Sequence, residues 1–330
     1  MAATIVDLAT TSKEPMQAGV AEMFLQYVDG LKYVSYKTIG DLMTARSRVA
    51  TLPSVGYRAI NGTYSEGTGT FEQMDESLSI IGGEVDVDVQ LEGNASQMVS
   101  QASAQMEAKV KALSYKVGDD LINGDRASVV LGIDGIKVRV DNLPSRQKIA
   151  ANGTDSLKIW NSATTENAFL DFVEEAIDVL DGGVVDCMFA DEVAIRGWFS
   201  TMRRIGASAG VVDIAPMVIG SGVQNVPTIK IGTRAIKVIR TGFTNETQAT
   251  KVITTTEDPG DGGNDATSIY FARLGDDYFT GLQKAAMSVK KLGELQTQPA
   301  MRTRIEWVMG YANWNDRALS RLYGLKFAAS

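Results

Sequence analysis

The chain has 330 residues, 44% hydrophobic and 22% charged, which excludes a disordered protein and leaves room for two average domains or one large irregular one. With 32 basic against 40 acidic residues the net charge is −8, which argues against a surface built to grip phosphates, because affinity for nucleic acid is carried largely by Lys and Arg. There is no histidine and one cysteine, Cys187, so intramolecular disulfides, serine and cysteine triads, imidazole bases and most zinc sites are excluded together.

In chain order, "MAATIVDLATTSKEPMQ" lacks the basic start and long apolar stretch of a signal peptide. No run approaches the ~18 apolar residues of a membrane span, so the expected place is a cytoplasm. Met23, Phe24, Tyr27, Val28 and Leu31 recur at helical spacing and predict a short amphipathic helix that stops near Asp29-Gly30. The aromatics here and in "KYVSYKTIGDLM" imply a terminal unit that docks on something.

Residues 49–93 carry one arginine, Arg58, against eight carboxylates (Glu66, Glu72, Asp75, Glu76, Glu84, Asp86, Asp88 and Glu92), a net −7. "EVDVDV" alternates, placing Val85, Val87 and Val89 on one strand face and Glu84, Asp86 and Asp88 on the other. The segment predicts a long two-stranded arm with its tip in "YSEGTGT". Strands of about 12–15 residues would reach about 40–50 Å. Such a hairpin is marginally stable alone and needs a neighbour to lie on.

The clearest helix follows. Asn94 or Ser96 can cap it, and Val99, Ala102, Met106, Val110, Leu113, Val117 and Leu121 form its apolar stripe. Beyond residue 150 the pattern is mixed α/β. "TENAFLDFVEEAIDVL" and "DEVAIRGWFSTMRRIG" predict helices, while "VVDCMF" and "VPTIKIGTRAIKVIR" predict strands. "EDPGDGGNDATS" is a turn-rich loop. "FARLGDDYFTG" predicts a hairpin, followed by a strand in "AAMSVKKL", a long strand in "RTRIEWVMGYANW" and a closing helix in "NDRALSRLYG".

Few residues suggest chemistry. Gly275-Asp276-Asp277 has the look of a polymerase's metal-binding turn, but Gly-Asp is ordinary turn chemistry, Arg273 sits two residues away, and no basic, aromatic-laced groove is visible. The triplet reads as a bend. Asp86 and Asp88 could form a two-carboxylate metal motif, and read instead as an exposed or intersubunit acidic stripe. "GSGVQN" lacks the third glycine and the lysine-serine ending of a phosphate loop. Lys109 and Lys116 share a helix face and read as a solvated back rather than a nucleic-acid contact. Cys187, in an apolar run, reads as a small core residue. No catalytic, cofactor or metal site is expected; the rival reading is a metal-dependent enzyme using Asp276 and Asp277 or Asp86 and Asp88.

The arrangement of docking terminal arm, acidic two-stranded extension, long helix, mixed α/β body and final strand resembles the major capsid proteins of tailed bacteriophages, the Hong Kong 97-type fold. The residues that carry the likeness are "SIYFARLGDDYFTGLQ", "RTRIEWVMGYANWNDRALSRLYGL" and "INGDRASVVLGIDGI". The resemblance implies an α+β capsid fold: an N-arm at 1–48, an extended loop at 49–93, a spine helix at 94–124 within a peripheral domain at 94–147, an axial domain at 148–262, peripheral strands at 263–313, and a C-terminal helix at 314–330 returning to the axial domain. It implies pentamers and hexamers in an icosahedral virion shell around double-stranded DNA, without sequence-specific binding or membrane, assembled in a host bacterial cytoplasm. A separate scaffold, a portal and decoration proteins are the implied partners, the scaffold because no long helical segment precedes the loop. Intersubunit contacts are expected at Phe24, Tyr27, Arg58, Glu66, Glu72, Glu84, Asp86 and Asp88, with Arg203 and Arg204 of a neighbour meeting the acidic loop. No lysine occurs from 38 to 108, so the loop offers no nucleophile for an isopeptide crosslink and a non-covalent shell is expected. An encapsulin-like nanocompartment shell shares the fold and is the nearest alternative.

Overall fold

The computed structural model describes residues 29–89, 99–151, 157–158, 163–205, 212–219, 222–231, 234–260 and 262–327. The predicted N-terminal helix, with Phe24 and Tyr27, and the cap candidates Asn94 and Ser96 lie outside the described residues. The chain is described from a 3-10 turn at Asp29–Lys32.

Three sheets organise the described residues. The strands β1 (Tyr36–Thr38), β4 (Ser79–Asp88), β12 (Phe279–Glu294) and β13 (Ala300–Asn313) form a four-stranded sheet in the order β1-β12-β13-β4. A larger sheet joins β5 (Lys148–Ala150), β14 (Leu319–Lys326), β11 (Thr267–Ala272), β7 (Cys187–Ala190), β10 (Arg234–Arg240), β9 (Gly222–Ile231) and β8 (Val212–Ile219) in that order, with β6 (Leu157–Lys158) beside β14. The third is a hairpin of β2 (Met43–Thr51) and β3 (Thr70–Ser77), paired from Met43↔Ser77 to Thr51↔Thr70.

The long helix α1 (Val99–Asn123) presents Val110, Leu113, Val117 and Leu121 to one core, shared with Tyr36, Ile305, Trp307 and Tyr311 of the four-stranded sheet. That core continues onto one face of the large sheet through Cys187, Phe189 and Tyr270, and onto α2 (Ile136–Asp141) through Ile136 and Val140. The alternate residues Met188, Ala190, Ile269 and Phe271 point to a second core against α3 (Ala163–Asp178) and α4 (Glu192–Ile205). Because both faces are covered, β7 and β11 are buried along their whole length, which is why β7 and the Ile269–Ala272 part of β11 read as continuous apolar runs. In the second core the ring of Phe169 meets Trp198 and Phe327 edge-on, at 5.1 and 5.6 Å. Such pairs add about 0.5–1.5 kcal/mol each beyond burial. Asp191 caps α4, its carboxylate accepting from the Val193 amide at 3.0 Å.

Five expectations need correction. The hairpin spans 43–77 rather than 49–93; the residues from Ser79 leave it and pair with β13 from Met309↔Ser79 to Ala300↔Asp88. Its tip is not "YSEGTGT". The two legs stay adjacent past the ladder, since a Cβ on Gly67 would meet Ser54, and the chain reverses near Asn61, whose φ is +66°. Asn-Gly is strong turn chemistry, and Asn tolerates the left-handed region. "FTGLQKAAMSVKKLGE" is one strand, not two, with register shifts that let it follow the twist of β13. The closing helix is a 3-10 turn at Asp316–Ala318 and then β14, which lies in the large sheet between β11 and β5. Leu319, Leu322 and Leu325 are all fully buried there, and the local helical spacing yields to a position covered on both faces.

Gly275-Asp276-Asp277 is a bend, but not a hairpin turn: β11 and β12 belong to different sheets, so the segment carries the chain between them. Gly275 takes φ +152°, and its amide donates to the Phe279 carbonyl at 3.1 Å while the Phe279 amide donates to that of Arg273 at 3.2 Å. A side chain at 275 would be strained there.

Candidate assembly surfaces

The hairpin arm is fixed at its root by charge. Arg46 donates to the Asp277 carboxylate at 2.9 Å and lies over the Trp314 ring at 4.9 Å. Arg48 bridges Glu72 of the opposite strand at 3.0 Å and Asp316 at 2.5 Å. Glu76 is gripped by Arg139 of α2. Arg273 lies over the Tyr278 ring at 3.8 Å and pairs with Asp181 at 3.3 Å. The carboxylates of Asp277, Asp316 and Asp181 are thereby each tied to a guanidinium of the same chain. Among the described residues no three His, Cys, Asp or Glu side chains converge as metal ligands would.

Beyond the root the arm is exposed. Leu52, Val55, Tyr57, Ile60 and Tyr64 all face solvent, a concentration of apolar surface that marks a contact site. Arg58 lies over the Tyr64 ring at 5.3 Å and donates to the Ala59 and Gly62 carbonyls at 3.5 and 3.4 Å. Glu66 is exposed on the returning leg.

The acidic stripe of β4 alternates as expected, with Val85 and Val87 half-buried and Glu84, Asp86 and Asp88 exposed. Asp86 is held bidentately by Arg302, at 2.7 and 2.7 Å. Those hydrogen bonds, with the guanidinium charge, hold its carboxyl below the usual carboxylate range. Glu84 receives Arg302 at 2.8 Å and Arg304 at 2.7 Å. Isolated exposed pairs contribute about 0.2–1 kcal/mol each, and here four charges share one ladder. Glu84 and Asp86 of the stripe are therefore matched within the chain by arginines of β13. Arg203 and Arg204 end α4, where Arg204 pairs with Glu166 at 3.2 Å and Arg203 is exposed. The candidate residues thus fall into three places: the tip (Arg58, Glu66), the root and ladder (Glu72, Glu84, Asp86, Asp88), and the end of α4.

Two surfaces escaped the sequence reading. One is the apolar tip, whose signal was five large apolar residues without period in a glycine-rich loop. The other is "VVL" at 129–131, exposed on the loop after α1.

A four-stranded sheet crossed by a long helix, a larger sheet between two helical layers and a clamped hairpin arm together define the Hong Kong 97-type capsid fold, and the chain has that fold. Its backbone superposes on an encapsulin complex from Synechococcus elongatus (TM-score 0.59, 14% identity, 91% of this chain and 88% of that one). It also superposes on Mycobacterium phage Bobi (TM-score 0.54, 11% identity, 91% and 89%). The capsid of a native GTA particle is a third match (TM-score 0.55, 10% identity, 91% and 89%). No protein-family profile matches the sequence. No curated protein matches it either.

Proposed function

We propose that the protein is the major capsid protein of a tailed bacteriophage, assembling as pentamers and hexamers into an icosahedral shell around double-stranded DNA. The observation that carries this reading is the arm: rigidly rooted, apolar at its exposed tip, and mounted on a fold shared with capsids and an encapsulin. A single copy has no use for such an arm, whereas repeated heterologous contacts between copies close rings and shells. The role is structural, with no enzymatic step and no cofactor. The shell is non-covalent, because the arm carries no lysine. The segment before β1 is the N-arm, and Phe24 and Tyr27, which lie outside the described residues, are its contacts with a neighbour. The four-stranded sheet with α1 is the peripheral domain and the large sheet with α3 and α4 the axial domain. Scaffold, portal and decoration proteins complete a virion assembled in the host cytoplasm, and the −8 net charge keeps the inner wall from trapping the genome.

An encapsulin-like compartment is the second reading, favoured by the superposition on the Synechococcus shell. Expression of the chain, alone and with its neighbouring genes, followed by sedimentation and electron microscopy, tests both. Megadalton shells, tubes or sheets support the shell reading; a 35.5 kDa monomer under both conditions overturns it. Particles filled with nucleic acid favour the capsid, and particles filled with one co-purifying protein favour the compartment.

A further inference from the structure

We infer that Asn61, at the turn of the arm, is a site of spontaneous deamidation, in which the backbone nitrogen of Gly62 displaces the side-chain ammonia of Asn61 through a cyclic imide. The chain has three Asn-Gly pairs, at 61–62, 123–124 and 152–153. In such a pair the glycine has no Cβ to hinder its nitrogen, and its backbone swings freely enough to reach the asparagine side-chain carbonyl. The fold then decides whether the two groups can meet. The pair at 152–153 lies outside the described residues. At the second pair, Asn123 ends α1, and its side-chain amide donates to the Asp119 carboxylate at 2.8 Å and to the Val252 carbonyl at 2.6 Å. Gly124 is buried, its amide donating to the Asp120 carbonyl at 3.2 Å and its carbonyl accepting from the Gly135 amide at 2.8 Å. A Cβ on Gly124 would come within 2.3 Å of the Ile133 carbonyl oxygen, so neighbouring backbone packs directly against it. Leaving group and attacking nitrogen are both held, and the helix end must open before they meet.

Asn61 is held by far less. The ladder of the hairpin ends at Thr51↔Thr70, and Asn61 and Gly62 stand exposed beyond it. The Gly62 amide donates to the Ala59 carbonyl at 3.0 Å, a bond with both ends in water. Segments with so few buried contacts open at little cost. Asn61 also sits at φ +66°, a region that asparagine tolerates but readily leaves for an extended conformation. Arg58 supplies the electrostatics: its guanidinium donates to the Ala59 and Gly62 carbonyls at 3.5 and 3.4 Å. That cation favours both the anion left when the Gly62 amide loses its proton and the negative oxygen of the tetrahedral intermediate.

The step balances with water alone. Hydroxide takes the Gly62 amide proton, the nitrogen bonds to Cγ of Asn61, the Cγ–Nδ2 bond breaks, and ammonia leaves with a proton from water. Water then opens the imide at either carbonyl, giving aspartate or the isoaspartate whose main chain runs through the side chain. One water is consumed and one ammonia released. The tip gains a negative charge and, in the second product, an extra backbone methylene within the turn.

The test is a time course on the full chain, free in solution, near pH 8 and at physiological temperature. Trypsin with a glutamate-specific protease releases residues 59–66, "AINGTYSE", in which Asn61 is the sole asparagine, while Asn123 and Asn152 fall in separate peptides. The 59–66 peptide should gain about one dalton and split into two chromatographic products, at least tenfold faster than the Asn123 peptide changes. Unfolding the chain in guanidinium chloride should bring the two rates together, because both are then bare Asn-Gly pairs. Gly62→Ala, which leaves the circular dichroism unchanged, should slow the reaction at Asn61 at least tenfold. Equal rates at Asn61 and Asn123 in the folded chain, or an unchanged 59–66 peptide when the unfolded chain reacts there, overturn the inference. A lone aspartate product, or a Gly62→Ala chain that reacts as fast, overturns the imide route and with it the assignment. The shell reading does not enter this measurement and stands or falls separately.

Discussion

The guanidinium of Arg139 forks onto the carboxylate of Glu76, its Nη2 donating to Oε2 at 2.9 Å, with both side chains only 13% exposed. Arg139 also donates to the Tyr311 carbonyl at 2.6 Å, and the Asn313 amide donates to Glu76 at 3.4 Å. One ion pair therefore ties the end of β3 to α2 and to β13, and sets where the arm leaves the body. Removing one partner strands the other's charge away from water, and Arg139→Ala should cost roughly 3 kcal/mol in urea unfolding. Replacing both with apolar residues of similar size, Arg139→Met/Glu76→Leu, should recover most of that loss. A single variant at wild-type stability would show that the pair is solvated and the arm's root loose.

Gly197 lies inside α4, where glycine costs about 1 kcal/mol relative to alanine, so its place there needs a reason. The reason is Phe327: a Cβ at 197 would come within 2.0 Å of that buried ring. Gly197→Ala should therefore lower the melting temperature, an overpacking cost of about 1–3 kcal/mol outweighing the gain in helix propensity. Adding Phe327→Leu should return part of the loss, a coupling that calorimetry of the two singles and the double resolves. Additive effects would mean the ring moves aside freely.

The periodic elements were legible. The stripes of α1, α3 and α4 and the alternation in β4 follow from which side chains a face must bury, and those residues are local in sequence. What was not legible is partner choice. Val85 and Val87 announce a strand, but nothing local says that its partner is β13, with Asp86 meeting Arg302 across 216 residues, rather than the adjacent arm. The join at Ser77-Leu78-Ser79 has no glycine or proline to mark the change of sheet. At the C-terminus Leu319 and Leu322 suit a helix face as well as a buried strand, and only the vacancy between β11 and β5 decides. The true turn, Asn61-Gly62, was visible, but the glycines of "EGTGT" drew the tip away from it. The assembly surfaces were least legible, because an exposed apolar residue in a loop looks like any other until its neighbours are known.

The pairing of Asp86 with Arg302 gives the protein a specific acid response. Its carboxyl is held below the ordinary range, so the unfolded chain takes up the proton first. The stabilisation is then complete above the unfolded value of about 3.9 and is lost as pH falls through the lower, folded value. Asp86→Asn should flatten this part of the acid limb of stability below about pH 4, while leaving its slope near pH 7 unchanged. Coincident acid limbs for the two proteins would show that Arg302 does not hold the carboxyl in solution.

Cys187 lies wholly buried in β7, its thiol donating weakly to the Ala272 carbonyl at 3.8 Å. Burial, reinforced by the adjacent Asp186, pushes the thiol far above its ordinary range. In the folded chain it should resist iodoacetamide at pH 8, and labelling should follow global unfolding in urea, since β7 lies between β10 and β11 with both faces covered. A group that holds its proton more tightly when folded stabilises the fold fully below its unfolded value, near 8.5, and less above it. Stability should thus fall between about pH 8.5 and 10, and Cys187→Ala should remove that part of the slope. The steeper loss above about pH 10, where the buried Tyr36, Tyr270 and Tyr311 hydroxyls contribute in the same direction, should remain. Rapid labelling of the native chain would mean that the central sheet opens locally at β7, and the alkaline slope would then be shared with a partly unfolded state.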